Sequence, residues 1–120
     1  MRIEISNGEI ADKISILMIK KEKISDRKKL KNINKEFFYL KDIFECFMDE
    51  NDCDFIKLKN INKKLWDILE KQREKECLGE LNDEFIKMSI AIYKLNDRRT
   101  KIKNKISTKT GSIFLEEKSY

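Results

Sequence analysis

Apolar residues recur along this chain with the spacing of amphipathic helices, and four stretches show the pattern. The clearest stretch, residues 81–106, steps by four and three, which keeps one face of a helix against a partner. Its apolar positions are Leu81, Phe85, Met88, Ile92, Leu95, Ile102 and Ile106. The same reading predicts helices over about 7–24, 27–48, 55–77 and 81–106, followed by a tail over 107–120, in one domain spanning 1–120.

Residues with capping chemistry stand at the predicted helix ends. Ser6 with Glu9 three residues later forms the pattern of a capping box, and Asp26 is placed to cap the second helix. Gly79 suits the left-handed position that follows a helix. The first helix is apolar over more than one stripe, which predicts that several neighbours cover it.

Short links between four amphipathic helices favour antiparallel neighbours. The predicted fold is therefore all-α, an antiparallel up-down-up-down four-helix bundle. Both chain ends then lie at the same end of the bundle. There Ile3 and Ile5 could pair with Ile113 and Leu115 as a small two-stranded ribbon supported by the bundle.

Composition narrows the possible classes of protein. The 120 residues include no Pro and three Gly, which is typical of long helices with short connections. The net charge of +5 arises from lysines scattered over the polar helix faces without an outstanding basic block. A solvated lysine surface explains that charge better than a specific nucleic-acid face does.

The cysteines and the hydropathy of the chain indicate which cofactors and which cellular compartment to expect. Cys46, Cys53 and Cys77 lack metal-ligand spacing and the chain has no His, so we expect no metal and no cofactor. The acidic loop 48–54 lacks the spacing and glycine of a calcium loop. Free thiols, the lack of a signal peptide, and apolar runs well short of the ~20 residues of a membrane span predict a cytoplasmic protein.

The one break in the seam of residues 81–106 is Arg99, which takes the position between Leu95 and Ile102. A guanidinium on a packing seam must meet carboxylates, reach water or hold a ligand. In the predicted topology, Arg99 lies level with the first turns of helix one. Asp12 and Glu9 are then the nearest carboxylates, so the structural interpretation is an ion-pair network of Arg99, Asp12 and Glu9.

The functional interpretation uses the same end of the bundle as an anion site. Backbone N–H groups of Ser6, Asn7 and Gly8 would face an anion at a helix start, and Arg98 or Arg99 would add a bidentate fork. Lys13, Lys118 and Tyr120 would complete its rim. Separately, Trp66 and Asp67 could line a ligand pocket as a stacking surface and a carboxylate, although both residue types are more often structural or solvated.

Five motifs make the chain resemble a family of small, mostly bacterial proteins of unknown function. The matching pieces are Ile5-Ser6-Asn7-Gly8-Glu9; Asp12-Lys13-Ile14 with Ile16-Leu17; Asn62 with Leu65-Trp66-Asp67-Ile68; Asn96-Asp97-Arg98-Arg99; and Glu116-Glu117-Lys118-Ser119-Tyr120. The resemblance implies a stand-alone helical domain, occasionally associated with glycosyltransferase-like or surface-polysaccharide proteins. It supplies no established activity and no catalytic residues, and the lysine-rich surface departs from the family's arginine- and alanine-rich pattern.

Two classes of function stay open at this point, and whether the protein is an enzyme is undecided. The first is a cytoplasmic interaction or oligomerising accessory module with a protein partner or a second copy; Phe38 and Tyr39 could mark a dimer face. The alternative is an enzyme or binding protein for an anionic small molecule such as a phosphorylated or sugar-nucleotide metabolite, which would use arginine electrostatics inside a bundle.

Overall fold

Four helices account for most of residues 5–111, the part of the chain that the computed structural model describes. They are α1 (Asn7–Lys23), α2 (Arg27–Glu45), α3 (Cys53–Cys77) and α4 (Asp83–Lys109). The predicted all-α class and the helical bundle are confirmed. The proposed terminal ribbon depends on Ile3, Ile113 and Leu115, which lie outside the described residues.

The predicted caps are present at three helix ends. The Ser6 hydroxyl accepts a hydrogen bond from the Glu9 N–H, and the Asp26 carboxylate accepts one from the Lys29 N–H. Gly79 has φ +71° after α3, the left-handed conformation that glycine adopts without strain. The Gly79 and Glu80 N–H groups then donate to carbonyls of the last turn of α3, as in a Schellman motif.

The second helix ends earlier than predicted, at Glu45 rather than at 48. Its last turn tightens, because the Cys46 and Phe47 N–H groups donate to carbonyls three residues back. After this tightened turn, the Phe47 and Phe44 rings meet edge-on with their centroids 5.6 Å apart, and Met48 is buried. The apolar spacing alone did not distinguish this turn from a continuing helix.

The starts of α1 and α2 and the end of α3 fall where predicted, whereas α1 ends one residue early, at Lys23, and three further boundaries shift. Asp52 caps α3 through the Asp54 and Phe55 N–H groups, so the helix begins at Cys53 rather than at 55. Asn82 caps α4 through the Phe85 N–H, which leaves Leu81 outside the helix and 66% exposed. At its other end α4 continues through Ser107 to Lys109, three residues beyond the predicted end at 106.

The first helix lies at the centre of the packing, as its broad apolar surface predicts. It contacts each of the other three helices, whereas α2 packs closely against α1 alone. The Phe44 ring of α2 also contacts the Phe55 ring of α3, with their centroids 4.8 Å apart. Contacts along α4 run against the direction of α3: Asp54 meets Lys109, and Lys75 meets Glu84. The complete up-down-up-down order stays a prediction.

The third and fourth helices extend past the core as a two-helix arm, which we define as residues 66–94. No residue in this range is buried, although Leu65 before it and Leu95 after it both are. The arm is therefore stabilised mainly by contacts between α3 and α4. Among the described residues, no helix is long and apolar enough to cross a bilayer.

Candidate functional site

A buried polar cluster joins α1, α3 and α4 in the middle of the bundle. It consists of Asp12 and Ser15 from α1, Asn62 from α3 and Arg99 from α4. The Asn62 amide donates to Asp12 Oδ1 at 2.9 Å and to the Ser15 hydroxyl at 2.7 Å, and that hydroxyl donates to the Asp12 carbonyl at 2.8 Å. These polar side chains occupy positions on packing faces where apolar side chains are usual. Their hydrogen bonds compensate for the free-energy cost of removing polar groups from water.

Arg99 and Asp12 form the charged centre of this cluster. Arg99 Nε donates to Asp12 Oδ1 at 2.9 Å and Nη2 donates to Oδ2 at 2.5 Å, the bidentate geometry that the guanidinium favours. The Asp12 side chain is 4% exposed and the Arg99 side chain 27%. Arg99 Nη1 also lies 3.5 Å from Asn96 Oδ1. The guanidinium thus contacts the buried carboxylate with one edge while part of it reaches the surface.

That partly exposed side of Arg99 faces a groove of about 280 Å³ between α1, α3 and α4. Apolar side chains form most of its walls and three polar residues contribute donors and acceptors; the lining residues are Ile16, Ile19, Asn62, Leu65, Trp66, Leu69, Ile92, Asn96 and Arg99. An apolar groove with a few convergent polar groups is the usual form of a small-molecule site. Chemically, this one can hold a ligand that has a ring or apolar body and an anionic or carbonyl group.

The start of α1 packs against the last turns of α4. The Gly8 N–H donates to the Ser107 hydroxyl at 2.9 Å, and the Asn7 amide donates to the Thr110 hydroxyl at 2.9 Å. A Cβ at Gly8 would lie 2.2 Å from the Lys103 carbonyl oxygen, so the two backbones are nearly in contact. The Gly8 amide, one of the three proposed for anion binding, is therefore already bonded within the protein.

The remaining predicted site residues are dispersed. Trp66 and Arg99 line the same groove, but the exposed Lys13 pairs with Glu36 of α2 at 3.0 Å. Asp67 pairs with Lys23 at 3.4 Å, and Arg98 is exposed. Lys118 and Tyr120 lie outside the described residues.

Glu9, which the sequence analysis grouped with Arg99 and Asp12, instead pairs with Lys103 at 2.5 Å. The structure also adds residues that the sequence analysis did not place in the network. Ser15 is recognisable in the sequence as the one polar residue within the apolar run 14–19. Asn62 directly follows the apolar Ile61 and lies one turn before Leu65. Lys103 and Ser107 gave no such signal, because either could equally occupy a solvated face.

An acidic pair stands at the start of α3, at the end of the loop for which the sequence analysis expected no metal. Asp52, Cys53 and Asp54 have ligand atoms close enough to share a metal ion. Both carboxylates are held by Lys109, whose Nζ lies 2.7 Å from Asp52 and 2.8 Å from Asp54. The hydrogen bond from Lys109 lowers the pKa of Asp54 below its ordinary value, against the opposing effect of burial. This cluster therefore acts as a link between α3 and the end of α4.

Comparison with known proteins identifies the family and leaves its activity open. No curated protein and no solved structure matches the chain. The model of a family of unknown function (DUF6165) matches residues 1–120. The chain, with its central Arg99–Asp12 pair, therefore belongs to this family of unknown function (DUF6165).

Proposed function

We propose that this protein is a helical interaction module that forms a homodimer through the outer face of α4. The observation that carries the proposal is a second apolar seam on the arm. Ile86, Ile90 and Tyr93 are 56%, 50% and 58% exposed and follow one another by four and three residues. At 100° per residue they lie on the side of α4 opposite Leu95, which faces the core.

The spacing of this seam indicates what kind of surface it fits. Apolar residues that alternate by four and three pack into a facing helix as knobs into holes. A two-fold dimer offers the same helix from the second copy, so one seam serves both partners. The arm carries seven acidic and five basic side chains, a mixture that lets two copies place unlike charges opposite each other. Pairing two arms would also give each arm the core that it lacks alone.

A double charge substitution on the seam tests the dimer. We expect the wild-type chain to sediment at twice its 14.4 kDa mass and Ile86→Lys/Ile90→Lys to sediment as a monomer. Burying two ammonium groups at an apolar interface should weaken association at least about 100-fold, as substitutions at central interface residues do. Sedimentation equilibrium over micromolar concentrations measures the change.

The matched control is Tyr39→Lys/Ile43→Lys, which alters two exposed residues four positions apart on α2. This control should remain dimeric with unchanged affinity. A wild-type chain that is monomeric throughout the concentration range would contradict the proposal. So would a dimer that the α2 control dissociates and the α4 variant leaves intact.

A reducing cytoplasm is the compartment that we propose for this module. Cys46, Cys53 and Cys77 are free and exposed. Three accessible thiols are typical of proteins from compartments where glutathione and thioredoxin keep cysteines reduced.

A second candidate function, binding of an anionic small molecule, is supported by the groove beside Arg99. The guanidinium is held in place by Asp12, and its partly exposed edge shares the groove with Trp66. A phosphorylated or nucleotide-sugar ligand would match a cation next to an aromatic wall.

Thermal-shift screening with phosphorylated sugars, nucleotides and dicarboxylates tests this second function. A ligand at 100 times its dissociation constant should stabilise the protein by about 2.7 kcal/mol. Trp66→Ala should abolish the shift, whereas Trp66→Phe should keep part of it and Arg98→Gln should leave it unchanged. If no anion stabilises the protein, or if Trp66→Ala keeps the full shift, the groove does not bind such ligands.

A further inference from the structure

Although the basic residues looked evenly scattered in the sequence analysis, they are densest from the end of α1 through the first half of α2. Residues 20–35 include eight of the 27 basic residues and two of the 22 acidic residues. Both acidic residues are already engaged: Glu22 pairs with Lys59 and Lys63 of α3, and Asp26 caps α2. The segment has a net charge of +6, compared with +5 for the whole chain.

Four of these basic residues share one side of α2 with two aromatic residues. We define the outer face of α2 as Arg27, Lys28, Lys31, Lys35, Phe38 and Tyr39. At 100° per residue these positions lie opposite the buried side of the helix. All six side chains are exposed, and within residues 5–111 none of the four cations has a carboxylate oxygen within 4.0 Å.

The second half of this face exposes large apolar groups. Phe38 and Tyr39 are 62% and 75% exposed, and Ile43 beside them is 41% exposed. Lys21 of α1 extends over the neighbouring ring of Phe37, with its ammonium 4.2 Å from the ring centroid. Cations and apolar side chains thus adjoin on the outermost helix of the bundle.

We propose that the outer face of α2 docks on the surface of an anionic lipid bilayer. Clusters of four or more cations on an amphipathic helix are attracted to the negative potential of acidic lipids. Phe and Tyr rings are favoured at the level of the headgroups, where one part of the ring is apolar and another is wet. The cations would lie against lipid phosphates while Phe38 and Tyr39 enter the headgroup layer.

The shape and chemistry of this face favour lipid over nucleic acid. Proteins that bind single strands hold the phosphates in a positively charged groove and stack bases on rings. The outer face of α2 is instead the convex surface of one helix. Beside its apolar part lies the exposed Ile43, an aliphatic residue that a bilayer accepts but that offers no flat surface to a base.

The acidic residues of α2 limit how the helix can lie. Glu36 is paired with Lys13, and Asp42 and Glu45 follow the aromatic pair toward the end of the helix. The cationic first half should therefore lie closest to the phosphates. The proposal rests on α2 alone and is independent of dimer formation by α4.

Flotation with lipid vesicles tests the proposal on the full chain. The protein should float with vesicles that contain one quarter phosphatidylglycerol in phosphatidylcholine, should not float with pure phosphatidylcholine, and should be released by salt. Each basic side chain near such a surface strengthens binding about fivefold, so Lys31→Gln/Lys35→Gln should lower the partition coefficient about 25-fold. Phe38→Ser/Tyr39→Ser should lower it about tenfold or more.

The matched control is Lys71→Gln/Lys87→Gln, which removes the same charge from exposed positions on the arm. It should bind vesicles within about threefold of wild type if the site is local rather than a net-charge effect. Equal losses in the two lysine pairs, no binding to anionic vesicles, or binding to a single-stranded RNA but not to vesicles would each overturn the proposal. Circular dichroism verifies that the variants keep their helices.

Discussion

Gly8→Ala should destabilise the protein by about 2–3 kcal/mol, although alanine is the better helix former. The new Cβ would lie 2.2 Å from the Lys103 carbonyl oxygen and 2.8 Å from the Ser107 hydroxyl. A backbone oxygen cannot rotate away, so α1 and α4 must separate by about 1 Å or more. That separation would stretch the Gly8 to Ser107 hydrogen bond and loosen the packing of Ile106. Urea unfolding followed by circular dichroism measures the loss.

Gly79→Asn is the control for this experiment. No atom lies within 4 Å of a Cβ built at Gly79, and asparagine tolerates the left-handed conformation better than other side chains do. We expect a change below about 1 kcal/mol there. Gly8→Ala at wild-type stability would mean that α1 and α4 can separate without cost, which would contradict the close approach described above.

Periodicity and capping chemistry were sufficient to predict the helices, because each acts within a few residues. Asp26 begins α2 and Gly79 ends α3 through local hydrogen bonds, so the sequence alone locates both. Ser107 shows where local reasoning stops. The sequence places Ser107 in a tail, whereas it lies within α4 and its hydroxyl accepts a hydrogen bond from the Gly8 N–H, 99 residues away.

The candidate site could be predicted only in part, for a similar reason. Arg99 stands out because it interrupts an apolar seam, and helix topology brings it level with Asp12. The sequence does not show whether the backbone N–H groups in the first turn of α1 face solvent or another helix, because this depends on tertiary packing. In the structure, the Gly8 N–H donates to Ser107 of α4. The Glu9 carboxylate pairs with Lys103 of α4, whereas in a capping box it would accept from the N–H of the capping residue.

Removing either partner of the Arg99–Asp12 pair should be costly. Arg99→Met leaves a carboxylate that is 4% exposed without its cation, and we expect a loss of about 3–4 kcal/mol. Asp12→Ala should cost less, about 2–3 kcal/mol, because the Arg99 side chain is 27% exposed and its guanidinium still reaches Asn96. Arg99→Lys keeps the charge without the two parallel hydrogen bonds, so its stability should lie between wild type and Arg99→Met. Chemical denaturation of each variant gives these values.

The double variant distinguishes the interaction between Asp12 and Arg99 from the interactions that each makes with other residues. If the charges act mainly on each other, Asp12→Ala/Arg99→Met should lose about 2 kcal/mol less than the sum of the single variants. Additive losses would instead assign the effect to Asn62 and Ser15, which share the Asp12 carboxylate and its helix. Because a buried ion pair often contributes no more than apolar residues of similar volume, a strongly coupled pair does not by itself explain a guanidinium on the seam. Phosphate-induced stabilisation that is present in the wild type and absent from this double variant would identify ligand binding as the second contribution of Arg99.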